Sequence, residues 1–266
     1  MTSELKVSDL SKVFSNVGLV SGDNVIVHSS FRSLGPVAGG PETVVQALLD
    51  VIGPDGNLML PTFNYSHPAP TPYYDPRETP CRTGIIPEMG RKWAEAVRSL
   101  HPTHSVAVIG PDAEELTKDH LKVRTMGIGS PIDKLAKRDG KILLIGVGHT
   151  TNSTIHIGEE YAGVPKAPYQ WGCPVVKICL PDGEIIEHQL DDSPSCSLAF
   201  GAVEYFLRDK GQIRDYLEGP VRPQLMRGQD VIDAVCEIFK CKPDILLCTD
   251  PACLPCVGAR KNLRKQ

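Results

Sequence analysis

A histidine followed three residues later by a carboxylate is the clearest place in this 266-residue chain where residue types and spacing could do chemistry. His156 and Glu159 lie in the segment Asn152-Ser153-Thr154-Ile155-His156-Ile157-Gly158-Glu159. If a helix starts at Thr154, the two side chains stand one turn apart on one face. There a carboxylate orients an imidazole and compensates its charge when it is protonated. That is a general base with its orienter. The same spacing also suits a satisfied core histidine beside a first-turn acid favoured by the helix dipole. Two ligands alone make a weak metal site. Just upstream, the apolar run Lys141-Ile142-Leu143-Leu144-Ile145-Gly146-Val147 passes into a small, polar loop, and α/β proteins build ligand sites at the ends of such buried strands.

Other segments offer weaker signals. Arg98 to Val106 places His101 and His104 just before a strand, where either fits a proton shuttle or a residue that satisfies the backbone. Ser29-Ser30-Phe31-Arg32-Ser33-Leu34-Gly35, then Gly39-Gly40 and a helix start, supplies hydroxyls, backbone donors and a positive helix end suited to phosphate or pantetheine. It lacks the glycine patterns of nucleotide-binding loops, so an ordinary capped turn fits equally. Gly127-Ile128-Gly129-Ser130-Pro131 is not the nucleophile elbow of a serine hydrolase, and Ser130 reads as a helix cap. Cys253-Leu254-Pro255-Cys256 is one chelating pair without a second, so these thiols and Cys236, Cys241 and Cys248 are read as free or packed, and no metal is expected. A non-catalytic, zinc-stabilised binding protein is the alternative that the pair keeps open.

The elements that must position these groups follow an α/β order. Ser8 to Asn16 has helical spacing behind Ser8 as cap, and Asn24 to His28 reads as a buried strand. Pro41 to Leu49 reads as a helix and Asn57 to Pro61 as a strand, so a helical crossover predicts parallel pairing. Residues 64–83, with five prolines among Tyr65, His67, Tyr73, Tyr74 and Asp75, read as a long structured loop. Ile86 to Ala96 and Asp112 to His120 read as helices, with Ser105 to Gly110 as a strand between them. Val175 to Leu180 and Glu184 to Glu187 form a hairpin around Pro181-Asp182-Gly183, expected to add antiparallel strands to the sheet. Ser197 to Lys210 and Arg227 to Phe239 read as helices, and residues 248–266 as a cysteine-containing, basic tail. The expected fold is a single α/β domain with a central mixed, largely parallel sheet flanked by helices.

Composition excludes several classes. With 41 % hydrophobic and 23 % charged residues, the chain can bury a sizeable core and is neither disordered nor membrane-spanning. A formal charge of -4 gives no electrostatic reason to bind nucleic acid. Nine cysteines, scattered and odd in number, fit reduced thiols better than a secreted disulfide framework. No leader sequence is legible at the start, so a cytoplasmic protein is expected.

Taken in order, the segments resemble the aminoglycoside 3-N-acetyltransferase family, which is distinct from the commoner GNAT fold. The resemblance runs over roughly Val25 to Ala162. It rests on Val27-His28-Ser29-Ser30 with Ser33-Leu34-Gly35 and Gly39-Gly40; Leu60-Pro61-Thr62; Asp75-Pro76 with Thr79-Pro80; Arg98-Ser99, His101-Pro102 and His104-Ser105; Ser130-Pro131; and Leu144 to Gly148 leading to Asn152, Thr154, His156 and Glu159. It implies acetyl transfer from acetyl-CoA to an amine of an aminoglycoside or similar small molecule, with His156 as general base and Glu159 as its partner. It also implies that Ser29, Ser30, Phe31, Ser33, Leu34 and Gly35, with His104, Ser105 and Val106, approach the cofactor. A polycationic substrate calls for lining carboxylates, for which Asp75, Glu160, Asp191 and Asp192 are candidates, with Tyr65 beside them. Acetyl-CoA and the amine are the expected partners, and a homodimer is compatible with the reading.

Overall fold

Successive residues of a strand point to opposite faces, and here both faces are apolar. In Asn24–Ser29, Val25 and Val27 join one buried cluster and Ile26 the other; in Lys141–Ile145, Leu143 and Ile145 join the first and Ile142 and Leu144 the second. A sheet with two apolar faces must be covered on both sides, which dictates three layers. Each Leu, Ile or Val so buried contributes roughly 1.5–3 kcal/mol.

The computed structural model describes residues 4–64, 72–165, 175–190 and 196–264. In chain order the elements are α1 (Val7–Val17), β1 (Asn24–Ser29), α2 (Pro41–Ile52), β2 (Asn57–Pro61), β3 (Tyr73–Tyr74), α3 (Ile85–Arg91), β4 (Val97–Arg98), β5 (Val106–Ile109), α4 (Ala113–Thr117), α5 (Pro131–Lys137) and β6 (Lys141–Ile145). They continue with α6 (Thr154–Ala162), β7 (Val175–Cys179), β8 (Ile185–Gln189), α7 (Ala202–Asp209), β9 (Arg214–Asp215), β10 (Pro223–Arg227), α8 (Gly228–Cys241) and α9 (Leu254–Leu263). A seven-stranded sheet has the order β4-β5-β2-β1-β6-β10-β9. Its centre, β2-β1-β6, is parallel, and the flanking pairs are antiparallel. Side chains of α1, α2 and α3 complete the cluster on one face, and those of α4 to α8 complete the other.

Several local expectations shift. The first helix is capped two residues earlier, at Lys6, whose backbone N–H donates to the Asp9 carboxylate at 2.9 Å, so Ser8 lies inside the helix rather than capping it. Ser130 does cap α5, accepting from the Asp133 N–H. The β7-β8 hairpin forms as expected but does not extend the main sheet. It joins β3 in a separate three-stranded sheet around Tyr74, Val176, Ile178 and Leu190, while β5 with β4 on one side and β10 with β9 on the other provide the antiparallel pairings of the main sheet. The proline-rich 64–83 segment therefore contributes a strand of its own, β3. The C-terminal segment read as a cysteine-containing, basic tail contains α9, which buries Cys256 and Ala259.

Candidate active site

Parallel strands all end on one edge of the sheet, and β1, β2 and β6 bring Ser29, Thr62 and Gly146 to that edge. Strand β5 runs the other way, with Val106 opposite Pro61, so its entry segment His104-Ser105 meets the exit of β2. Strand direction thus brings the loops that follow β1 and β6 and the entry of β5 to one edge of the sheet.

At the exit of β1 the backbone N–H of Ser30 donates to Ile145 O at 2.9 Å, and the Ser33 hydroxyl donates to Ser30 O at 2.7 Å. Gly146 follows β6 with φ +64°, and a Cβ there would sit 1.7 Å from Ser33 Oγ. Only glycine permits this approach of the two loops. Leu34 is buried in the α1/α2 core, Phe31 packs on that core, and Gly35 ends the turn, so this segment meets the edge chiefly through backbone and through Ser29 and Ser30. Ser29 Oγ, His28 Nε2, His149 Nε2 and Thr154 Oγ1 are buried with no hydrogen-bond partner among the described residues. Burial, with repulsion from His149, pushes the His28 imidazole down to about 3.

Across the β2/β5 junction the polar groups are mostly spoken for. The Ser105 hydroxyl donates to Thr62 O at 2.9 Å and accepts from Arg98 Nε at 3.0 Å, while Val106 is buried in the core. The His104 ring lies 4.7 Å from Phe63 and its Nδ1 meets the Thr103 hydroxyl at 2.9 Å. Arg98 is itself buried: Nη1 donates to Pro76 O and Thr79 O, Nη2 donates to Thr62 O, and the guanidinium covers the Tyr74 ring. This arginine ties residues 76–79 to the sheet edge. Sequence reading had it only as part of a motif.

The third contributor is the polar loop after β6. Asn152 Oδ1 accepts from Thr154 N at 3.2 Å, fixing the start of α6. His156 Nδ1 is 2.8 Å from Glu159 Oε2, with the two side chains 7 % and 1 % exposed. A carboxylate accepts only, so Nδ1–H is the donor, which assigns the tautomer. The helix is pressed against α8 at Gly158, where a Cβ would lie 2.6 Å from Val235 Cβ. The edge of the His156 ring packs on Phe200, at 4.7 Å between centroids. Phe200 was not singled out in sequence: it lies outside the local segment, and a lone aromatic near a helix start carries no signal.

The acidic candidates separate. Burial works against ionisation of Asp75, yet the Arg77 backbone and guanidinium bond to it and hold its carboxyl below the ordinary range. Glu160 is 3.7 Å from Arg124. Tyr65, Asp191 and Asp192 lie outside the described residues.

The fold is a mixed α/β sandwich, and the pair that follows its central parallel strands has the residue types of a proton acceptor and its orienter. The chain matches the family model described as aminoglycoside 3-N-acetyltransferase over residues 26–241. It is 30 % identical over 234 residues to aminoglycoside N(3)-acetyltransferase IV of Salmonella sp, spanning 87 % of this chain and 86 % of that one. It is 31 % identical over 256 residues to aminoglycoside N(3)-acetyltransferase VII of Streptomyces paromomycinus, spanning 84 % and 88 %. Crystal structures of aminoglycoside acetyltransferase AAC(3)-IVa superpose over 98 % of each chain with TM-score 0.85, as apoenzyme at 28 % identity and as a histidine-to-alanine mutant in complex with a gentamicin at 29 %. The chain belongs to the aminoglycoside 3-N-acetyltransferase family and is an acyltransferase. No helix among the described residues is long and apolar enough to cross a membrane.

Proposed function

We propose that the protein transfers the acetyl group of acetyl-CoA to an amine of an aminoglycoside or similar molecule, with His156 as general base. The observation that carries this reading is the 2.8 Å contact between His156 Nδ1 and Glu159 Oε2. An amine with a pKa near 9 to 10 is mostly ammonium at neutral pH and has no lone pair for attack. His156 Nε2 takes that proton, and Glu159, bonded to Nδ1–H, compensates the resulting imidazolium. The amine nitrogen then bonds to the thioester carbon and the oxygen gains negative charge; collapse breaks the C–S bond, the nitrogen's second proton passes to the departing CoA thiolate to leave the neutral amide, and His156 gives up the first proton to water.

Donors for the developing oxyanion and for the pantetheine arm come from the β1 exit, where Ser29 Oγ is a buried hydroxyl with no described partner and Ser30 follows it. Ser33, Leu34 and Gly35 shape that loop, and His104, Ser105 and Val106 form the opposite rim. For the polycationic substrate, Asp75 and Glu160 are the described acidic candidates. Each faces an arginine, at 3.3 Å and 3.7 Å, so a substrate ammonium would compete with a cation already in place. Tyr65, Asp191 and Asp192 complete the proposed set.

The test is release of free thiol from acetyl-CoA in the presence of a panel of aminoglycosides and simple amines, with the acetylated product identified by mass spectrometry. Turnover with aminoglycosides that collapses in His156→Ala, with the far-ultraviolet circular dichroism unchanged, is the expected result. Wild-type turnover at neutral pH in the folded variant would remove the base role from His156. Absence of thiol release with every aminoglycoside would remove the substrate assignment.

A further inference from the structure

Outside the site above, the fold assembles a second group of side chains that the acyl-transfer chemistry does not use. Cys196, Cys248, Cys253 and Cys256 bring their sulfur atoms within 4.8 Å of one another, and all four are free thiols. They come from three places in the chain: Cys196 from the turn that leads into α7, Cys248 from the loop after α8, and Cys253 and Cys256 from the start of α9. Spacing offers only the Cys253/Cys256 pair, and the tertiary fold supplies the other two.

We propose that these cysteines form a structural zinc site with four thiolate ligands. Zinc takes thiolates at about 2.3 Å in a tetrahedron, which requires sulfur–sulfur edges of roughly 3.8 Å, within the span the four atoms occupy. Binding forms four Zn–S bonds and releases the thiol protons to water.

The surroundings match such a centre. The Leu198 N–H donates to Cys196 Sγ at 3.4 Å. Donors of this kind stabilise charge on ligating sulfur and orient it. Arg260 donates to Leu247 O at 2.8 Å and Cys248 O at 2.7 Å, tying the Cys248 loop to α9 and setting a cation beside a centre of net charge -2. Cys253 caps α9 and Cys256 lies in its first turn, so the positive end of the helix dipole also faces the sulfurs.

The apolar support at this spot is small. Leu247, Cys248, Cys256 and Ala259 form a buried cluster of their own, apart from the two large cores. A cross-link supplies what so little buried surface cannot. Its consequence reaches the catalytic pair, because the turn from Cys196 runs into Phe200, which packs on His156, and Phe200 N–H donates to Ser197 O at 3.0 Å. The metal thus holds α9 against the segment that forms one wall of the histidine.

The test uses the full chain expressed in zinc-supplemented medium, freed of loose metal by gel filtration and measured by mass-spectrometric elemental analysis. About one zinc per chain is expected, falling to a small fraction in Cys253→Ser and Cys256→Ser and unchanged in Cys241→Ser, an exposed cysteine outside the cluster. Cobalt exchanged into the wild-type protein should give thiolate-to-metal charge-transfer bands and the visible bands of a tetrahedral sulfur site, a readout that survives if the serine variants do not fold. Native protein without stoichiometric zinc and with all four thiols open to a thiol reagent overturns the assignment. So does zinc retained in the Cys253→Ser, Cys256→Ser double variant, iron in place of zinc, or a disulfide between any two of the four.

Discussion

His156 and His101 are both buried histidines of one fold, and their neighbours set them apart. His156 has a carboxylate at 2.8 Å, so charge formed on its ring is compensated on the spot. His101 is paired with backbone and other imidazoles instead. Its Nδ1 accepts from the backbone N–H groups of Thr103 and His104 at 3.3 and 3.1 Å, and its ring faces those of His120 and His104. Burial, with repulsion from those imidazoles, holds it neutral far below its ordinary range. His120 is similar: Nδ1 meets the Ser99 hydroxyl, Nε2 donates to Thr125 O, and burial pushes it down to about 4. The lesson is that burial alone makes a histidine a neutral structural hydrogen-bonding group, whereas burial beside a carboxylate equips it to move a proton.

The largest expected effect breaks or keeps this contrast. His156→Ala should lower kcat by about 10²- to 10⁴-fold while the protein stays folded. His101→Leu should leave kcat within about tenfold but lower the urea midpoint, because the ring nitrogen that accepts from the Thr103 and His104 N–H groups is lost. Equal losses of kcat in the two variants, at equal stability, would erase the distinction drawn above.

Acid stability comes next. An unfolded histidine titrates near 6.5, whereas His28 and His120 titrate near 3 and 4 in the fold, and His101 and His149 are also lowered. Below about 6.5 the unfolded chain therefore binds protons that the folded chain refuses. Their stabilisation is full above that pH and is lost as pH falls, by up to about 1.4 kcal/mol per pH unit for each histidine. The carboxylate of Glu88 acts in a lower window. Although burial opposes it, Arg91, the Cys81 N–H and Lys92 draw it from 4.5 down to about 2, so its contribution is lost progressively as pH falls through that interval. A urea midpoint that stays flat from pH 7 to pH 5 would falsify the account of the buried histidines.

Gly158→Ala should cost about 1–3 kcal/mol, since the new methyl meets Val235 at 2.6 Å and α6 must shift from α8. Equilibrium unfolding measures this, and a neutral change would mean that the contact relaxes without cost. Glu159→Gln keeps the shape of the side chain but removes the charge. We expect kcat to fall at least about tenfold, with KM for acetyl-CoA nearly unchanged. A loss confined to KM would place Glu159 in binding instead.

Much of the fold was legible because it is written locally. The run Lys141 to Val147 is apolar on both faces, and the Pro41 to Ile52 helix links β1 to β2 as a parallel crossover. The destination of the β7-β8 hairpin was not legible, because its sheet partner, β3, is a two-residue strand inside a proline-rich segment. Nor was the fate of the C-terminal basic segment, whose helix buries one narrow face against distant residues.

The same division runs through the two sites. His156 and Glu159 lie within one helical turn, so the 3.6-residue period joined them before any tertiary contact was known. Whether that pair is buried, what covers its ring and which strand ends surround it were decided by packing: Phe200 and Val235 come from elements far along the chain. The four cysteines stand at the other extreme. Cys253 and Cys256 announce themselves by spacing, but Cys196 and Cys248 reach them only because α9 packs on the turn before α7 and on the loop after α8. Local periodicity fixes neighbours along a helix, and only the burial of apolar surface brings remote segments to a common point.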